Sequence, residues 1–406
     1  MTGIISDKIK ARITVDANRY GRSDRSAMGR WFWEIDRVLL LLIAVLIGIG
    51  LIAVAAASPA AAVRYSGGSV RFPELYYFYR QIAWIAVGLP VMVGISMLTR
   101  ERARRLSLFG AAFFFVLLAF VPVLGPEVNG ARRWLDIGVG QLQPSEFLKP
   151  FYVVAMAWLL SLRESDKSLP VYLLSALVTG AVAFLLMKQP DFGSTIIFVA
   201  VWVALLALAG VSLRMLGILA VAGLVGVVLA YFFYDVATQR IDGFLFGEGD
   251  TFQTDNAMRT LTAGGLFGMG PGAGTRKFGL PEPHTDYIFS VIGEEFGLIA
   301  CLAIALLYLT IVARVLVKLL DEDSPFAILA GAGLVLQFGL QALINMAVNV
   351  QIAPSKGMTL PFISYGGSSM LALSIGMGLL LAFTRRNPYL TRSPYVVKWS
   401  GESQAE

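Results

Sequence analysis

Long apolar runs separated by short polar breaks dominate the chain between residues 38 and 384. They fall at about 38–57, 80–98, 106–124, 144–162, 170–187, 193–210, 213–233, 287–313, 326–350 and 362–384. Each is near the length of about 20 residues that a helix needs to cross a hydrocarbon core. The pattern predicts an all-α polytopic membrane protein with ten transmembrane helices. Within 170–233 the breaks are slight, only Gln189-Pro190-Asp191 and Ser212. Pro190 suits the first turn of a new helix, where a missing N–H costs nothing, so two spans are expected there and not one.

The polar remainder divides the chain. Residues 1–37 are expected to be an N-terminal cytoplasmic tail, because no apolar run precedes a cleavage site. Residues 38–384 form the membrane domain, and 385–406 a C-terminal cytoplasmic tail. Between them lie loops at 58–79, 125–143 and 351–361, and one long exterior loop, 234–286, between spans seven and eight. Eight Lys and Arg precede the first span, and the next loop holds only Arg64, Arg71 and Arg80. Arg100, Arg102, Arg104 and Arg105 follow span two, and Arg385, Arg386, Arg392 and Lys398 lie in the last tail. Basic residues favour the cytoplasmic side, so both termini are placed there.

Composition agrees. The chain is 57% hydrophobic and 15% charged, against roughly a quarter charged in soluble domains. A net charge of +6 fits juxtamembrane residues on an anionic leaflet better than nucleic acid, since no basic patch with interleaved aromatics occurs. Cys301 is single, which excludes an intramolecular disulfide. His284 is also single, which removes two-His zinc sites and makes a His-based nucleophile triad improbable. No internal repeat of the kind expected in an inverted-repeat transporter is found.

Four polar clusters lie on the exterior side. Asn129-Gly130-Ala131-Arg132-Arg133-Trp134 precedes Gln143-Pro144-Ser145-Glu146-Phe147-Leu148-Lys149. Pro144 would open span four, with Glu146 and Lys149 on one helical face. This cluster reads either as an interface anchor, Glu146 pairing with Lys149, or as an anion site in which guanidinium groups meet phosphate oxygens. Lys188-Gln189-Pro190-Asp191-Phe192-Gly193-Ser194 reads as a turn and helix start.

The third cluster, Gly264 to Lys277, looks like a phosphate cradle ending in Arg276 and Lys277, yet it fits no nucleotide-binding fingerprint. Leu280-Pro281-Glu282-Pro283-His284-Thr285-Asp286-Tyr287 follows it. A helix starting near Asp286 would place Ser290, Gly293 and Gly297 on one small, open face. Asp286 reads as an N-cap or as a functional group; capping does not explain Glu294 and Glu295 further in. The fourth cluster runs from Lys356 to Ser369 through Gly357-Met358-Thr359-Leu360-Pro361-Phe362-Ile363-Ser364-Tyr365-Gly366-Gly367-Ser368. It lacks nucleophile-elbow spacing, and a backbone kink with close helix packing is its other reading.

In Asn129–Lys149, Gln189–Ser194, Gly264–Thr275, Pro281–Leu298 and Lys356–Ser369 the chain resembles the SEDS family (shape, elongation, division and sporulation), whose members polymerise lipid II into glycan strands. The Lys356–Ser369 wording is similar to the division branch, the FtsW type, with the elongation branch, RodA, as near neighbour. Phe296 departs from the family's more usual Leu. The resemblance implies ten spans and an essential exterior aspartate at Asp286. It also implies a span-four motif at Arg133, Glu146 and Lys149, and a last-loop lysine at Lys356. His284, Ser364 and Ser368 are expected to join them at the substrate. Implied partners are lipid II, the nascent strand, a class B transpeptidase (a penicillin-binding protein) and other division proteins, at the septum of a bacterial inner membrane. No organic cofactor is implied; a divalent cation, Mg or Mn, would suit the pyrophosphate.

The chemistry expected is glycosyl transfer between two lipid-linked disaccharides. One carboxylate, Asp286, would deprotonate the acceptor hydroxyl, and cations would meet the charge on the departing pyrophosphate. Arg133, Lys149 and Lys356 are the cation candidates, followed by Arg276 and Lys277. A single base fits direct displacement with inversion. Neighbouring cations would lower the pKa of Asp286 whereas a dry cavity would raise it. The long loop has little apolar packing before Leu280, so ordering it is expected to need the partner. The competing class is a lipid flippase or transporter using Glu294, Glu295 and Lys149; a division scaffold is a third.

Overall fold

The computed structural model describes residues 27–67, 71–127, 131–136, 138, 141–246, 252–355 and 357–385. Asn129, Gly130 and Lys356, together with most of both tails, lie outside the described residues. The described chain is mostly helical, with one small hairpin, a 3-10 turn and irregular connections such as 264–275 and 357–366. Its helices are α1 (Ala27–Glu34), α2 (Arg37–Tyr65), α3 (Tyr76–Ser96), α4 (Arg100–Leu124), α5 (Pro144–Ser165), α6 (Val171–Lys188) and α7 (Phe192–Leu208). They continue with α8 (Leu213–Phe233), α9 (Asp235–Leu245), α10 (Phe252–Ala263), α11 (Ile288–Leu319), α12 (Pro325–Asn349) and α13 (Gly367–Thr384). Strands β1 (Leu135–Asp136) and β2 (Gln141–Leu142) pair antiparallel, Leu135 opposite Leu142.

Among the described residues nine helices, α2–α6, α8 and α11–α13, are long and apolar enough to cross a membrane. The tenth expected span is α7, which has only 17 residues, roughly 26 Å at 1.5 Å per residue. The chain is a polytopic α-helical membrane protein. Pro144 does open α5. Pro190, by contrast, sits in the turn before α7, which Asp191 caps by accepting from Ser194 N at 3.1 Å.

Helices α5, α12 and α13 make the most buried layer. Helix α13 packs on α3 and α5, and α12 on α5, α7 and α11. Helix α8 has no buried residue, which suits a helix whose apolar side chains face lipid on most sides. One end of the bundle is tied by ion pairs. Asp36 meets Arg314 at 2.8 Å and Lys318 at 3.3 Å, Arg100 meets Glu322 at 2.8 Å, and Arg385 meets Glu34 at 3.2 Å. This is the end that the charge bias assigns to the cytoplasm.

Two expectations about the opposite end need correction. The 234–286 segment is not an irregular loop, although, as expected, little apolar side chain is buried in it before Leu280, among the described residues only Ala237 and Ala257. It carries α9, α10 and the 3-10 turn Arg276–Gly279, and Ala257, Thr260, Lys277 and Leu280 are buried. Its glycines bring backbone against backbone. Met269 N donates to Glu294 O at 2.9 Å, Gly270 N to Glu295 O at 3.0 Å, and Leu298 N to Gly265 O at 3.0 Å. A side chain at Gly264 would collide with the Gly293 carbonyl, and one at Gly297 with Gly268 N.

The second correction concerns α11. It starts at Ile288 behind Tyr287, so Asp286 precedes the helix and does not cap it. Its small face is not a cavity wall. Ser290 is bonded to Asn349 (Oγ to Oδ1, 2.7 Å), while Gly293 meets Leu261 of α10 and Gly297 meets Leu266. At Gly297 the helix breaks, with φ 81° and ψ 178°, a conformation open to glycine.

Candidate active site

A cavity of about 1060 Å³ opens at the end opposite the ion-paired one, and Asp286 lies in its wall. The main chain around Asp286 is strapped to the segment before α13. Tyr365 N donates to His284 O at 2.8 Å, and Ser364 Oγ donates to Thr285 O at 2.6 Å. Its side chain is left for the cavity: among the described residues no hydrogen bond to the carboxylate is found. Burial, then the nearby Glu282 carboxylate, and after it Glu146, push its pKa up to about 7, against Arg133 and Arg240, which lower it. The opposing effects expected from the sequence therefore resolve in favour of burial. The result is a carboxylate poised as a base near neutrality.

The first two polar clusters meet at Arg133. Its guanidinium donates to Gln189 O at 3.2 Å and to Pro190 O, and the side chain lines the cavity. Glu146 also lines it. Lys149 does not: it is buried behind Glu146, which it meets at 2.6 Å, with Gln341 Oε1 at 3.4 Å on its other side. Ser368 reaches the cavity, and its Oγ donates to Gln141 O at 2.8 Å, tying α13 to the hairpin. Ser364 is buried; besides its bond to Thr285 O it accepts from Leu360 N at 2.8 Å. His284 is buried among Tyr65, Tyr77 and Tyr365. Burial pushes its pKa down to about 4, so it is neutral. Ser364 and His284 hold the wall and do not line the cavity.

The glycine-rich segment binds an anion of its own chain. Arg276 N donates to Glu294 Oε1 at 2.6 Å, Lys277 N to Glu294 Oε2 at 3.0 Å, and Gly272 N to Glu295 Oε2. Lys277 Nζ pairs with Glu295 and donates to Ala56 O at 2.9 Å. Both side chains are buried. Arg276 is exposed and absent from the cavity wall. The reading of Lys277 as a pyrophosphate ligand is therefore replaced by an internal role, and the Arg276 side chain points away from the cavity wall, its backbone N–H alone joining the cradle. A backbone cradle forms, but two glutamates already fill it.

Some cavity residues escaped the sequence reading. Arg240 on α9 lines the wall and acts electrostatically on Asp286. Arg64, Arg80 and Trp84 come from α2 and α3; the arginines served there only to set orientation. Glu282 accepts from Tyr65 OH and, at 2.8 Å, from Thr285 Oγ1. The visible signal for Arg240 was an arginine at the start of the long exterior stretch, which also holds Arg259 and Arg276. Among the described residues no three His, Cys, Asp or Glu group together so as to hold a metal. The described wall does not itself fit a resident divalent cation.

Among the described residues, then, a polytopic helical membrane protein carries a polar cavity with the Asp286 carboxylate in its wall, at the end opposite the ion pairs. Residues 37–389 match the cell cycle protein family of FtsW, RodA and SpoVE, and the chain belongs to it. The chain is 38% identical over 371 residues to a probable peptidoglycan glycosyltransferase FtsW of Caulobacter vibrioides, covering 91% of this chain and 94% of that one. A protein of the same description from Halorhodospira halophila is 37% identical over 361 residues, 86% of this chain and 90% of that one. Among solved structures, a chain from a peptidoglycan synthase complex, described as coordinating polymerization and crosslinking, superimposes with a TM-score of 0.71 at 27% identity. It covers 86% of this chain and 97% of that one. The Thermus thermophilus rod shape determining protein RodA gives 0.63 at 28% identity, covering 86% and 96%.

Proposed function

We propose that this chain is a peptidoglycan glycosyltransferase that polymerises lipid II at the outer face of the cytoplasmic membrane during division, with Asp286 as general base. The observation that carries the mechanism is the carboxylate itself, raised to about 7 and turned toward a cavity edged by Arg133 and Arg240. The acceptor hydroxyl attacks the donor's anomeric carbon while Asp286 takes its proton. The bond from that carbon to the pyrophosphate oxygen breaks, and the arginines meet the charge left on the leaving group. With Asp286 as base and neither Glu146 nor Glu282, the other carboxylates of the wall, attacking the anomeric carbon, the displacement is a single step that inverts that centre. A divalent cation would arrive with the pyrophosphate and not be held beforehand. Lys356, outside the described residues, stays a proposed ligand of the same charge.

The flippase alternative used Glu294, Glu295 and Lys149 as moving charges. All three are buried and bonded internally, which supports the enzyme reading. FtsW-described relatives support a septal role over an elongation one. The structural likeness to a chain of a synthase complex supports a crosslinking partner, which we take to be a class B transpeptidase acting with other division proteins. The test is purified protein with lipid II, alone and with that transpeptidase. Glycan chains that disappear in Asp286→Asn support the proposal; lipid movement without chains overturns it. Higher activity in the complex, with slower hydrogen exchange in residues 240–285, would establish activation by the partner.

A further inference from the structure

Gln341, Asn345 and Asn349 stand four residues apart on α12, which puts three amides in one stripe along the helix. All three are buried, 1%, 2% and 0% exposed. A buried amide inside a membrane bundle is costly unless it is bonded, so the destination of each donor is informative. Asn345 Nδ2 donates to Asp286 O at 2.9 Å and to Met358 O at 2.6 Å. Asn349 Nδ2 donates to Asp286 O at 3.1 Å, and its Oδ1 accepts from Ser290 N at 3.1 Å. Gln341 Nε2 donates to Thr359 O at 3.1 Å, and its Oε1 faces Lys149 Nζ, which holds Glu146.

We propose that Asn345 and Asn349 are positioning residues for the reaction: with Gln341 they fasten the main chain of Asp286 to the 358–359 segment and so fix how its carboxylate enters the cavity. This rests on Asp286 being the base. Two donors on one carbonyl leave that peptide little freedom, while the carboxylate itself is held by no described side chain. Its direction is thus set from behind. The same stripe reaches Glu146 through Lys149, so both carboxylates are referred to one helix. A stripe that only satisfied stray buried carbonyls would not gather its donors on the base and on the rim facing it.

Among the described residues the charged groups that act on Asp286 are Glu282 on its own segment, Arg133 beside the hairpin, Glu146 on α5 and Arg240 on α9, and Arg64 and Arg80 line the same cavity. With these unchanged, a shift of the pH–rate limb in a variant that adds no charge reports movement of Asp286 itself, and Asn345→Asp checks that the limb belongs to Asp286. The experiment is lipid II polymerisation against pH by the full-length protein, with its transpeptidase, for Asn345→Ala and Asn345→Asp. In Asn345→Ala the loosened carboxylate gains water: kcat falls about tenfold to a hundredfold, KM changes little, and the limb moves to lower pH. In Asn345→Asp, similar in volume, the added negative charge moves the limb to higher pH. Should Asn345→Ala fail to fold, Asn349→Ser removes one donor to the same carbonyl and is expected to move the limb down by less. A limb unmoved in the folded uncharged variants, Asn345→Ala and Asn349→Ser, with rates falling only as folded protein falls, overturns the proposal. Asp286→Asn run alongside separates the two ideas. If it stays active, the base assignment fails; if it is inactive and the limbs are fixed, only the positioning role fails.

Discussion

Lys149 and Glu146 share one face of α5 at 2.6 Å, the lysine sealed inside the bundle and the glutamate reaching the cavity. The cation is therefore a support for a cavity wall and not a hand extended to substrate. Lys149→Met is expected to leave Glu146 uncompensated and destabilise the fold by roughly 3 kcal/mol. The double variant Glu146→Gln with Lys149→Met should recover most of that loss in thermal unfolding. Additive losses would show that the pair is not coupled.

Asp286→Asn keeps the backbone carbonyl that Asn345 and Asn349 hold. Polymerisation should drop by about a hundredfold or more, since general base catalysis is lost, with the melting temperature unchanged. Activity near the unmodified level would end the assignment.

The pH dependence has a definite sign. Asp286 must be ionised to accept a proton, so kcat/KM should rise with pH through about 7. Glu282 raises and Arg240 lowers that pKa. Glu282→Gln should accordingly move the limb to lower pH, and Arg240→Ala to higher pH. Shifts in the reverse sense would mean that another group is being titrated.

Arg133→Ala removes a cavity cation and its bonds to Gln189 O and Pro190 O. Loss of a charge-assisted contact of about 2 kcal/mol corresponds to roughly thirtyfold in kcat/KM for lipid II. Full activity in well-folded protein would place the pyrophosphate elsewhere.

Lys277 and Arg276 should part company. Lys277→Ala strands the buried Glu295 and is expected to cost about 3–5 kcal/mol of stability. Arg276→Ala should leave the KM for lipid II as it was. An Arg276 variant with a much higher KM would restore the phosphate-cradle reading.

The membrane helices were legible because a hydrocarbon solvent demands long apolar runs and little else. Arg133 and Glu146 could be singled out as charges beside such runs, whereas a helix cap was enough to explain Asp286 by position and the family resemblance marked it as essential. Gly264–Lys277 was harder. Glycine serves an anion cradle and a close backbone crossing equally well, and only the fold shows Glu294 and Glu295 filling the cradle. Arg240 is a different case: its nearness to Asp286 depends on how α9 folds over the cavity, which no local pattern encodes. Lys149 and Lys277 looked like substrate ligands by type and place; burial, a tertiary property, reassigned them.

The break at Gly297 sets a height. Helix α11 has 32 residues, roughly 48 Å, well beyond a hydrocarbon thickness of about 30 Å. Its stretch beyond the break, Leu298 to Leu319, is about 33 Å and suffices alone for the crossing. The part from Ile288 to Phe296 then becomes a pedestal that the glycine-rich segment clamps from the side. Asp286, just before this part, stands roughly 14 Å beyond the break by helical rise, a little outside a headgroup layer of about 5–8 Å. A substrate whose lipid tail stays in the bilayer can present its sugars to that carboxylate without being lifted from the membrane.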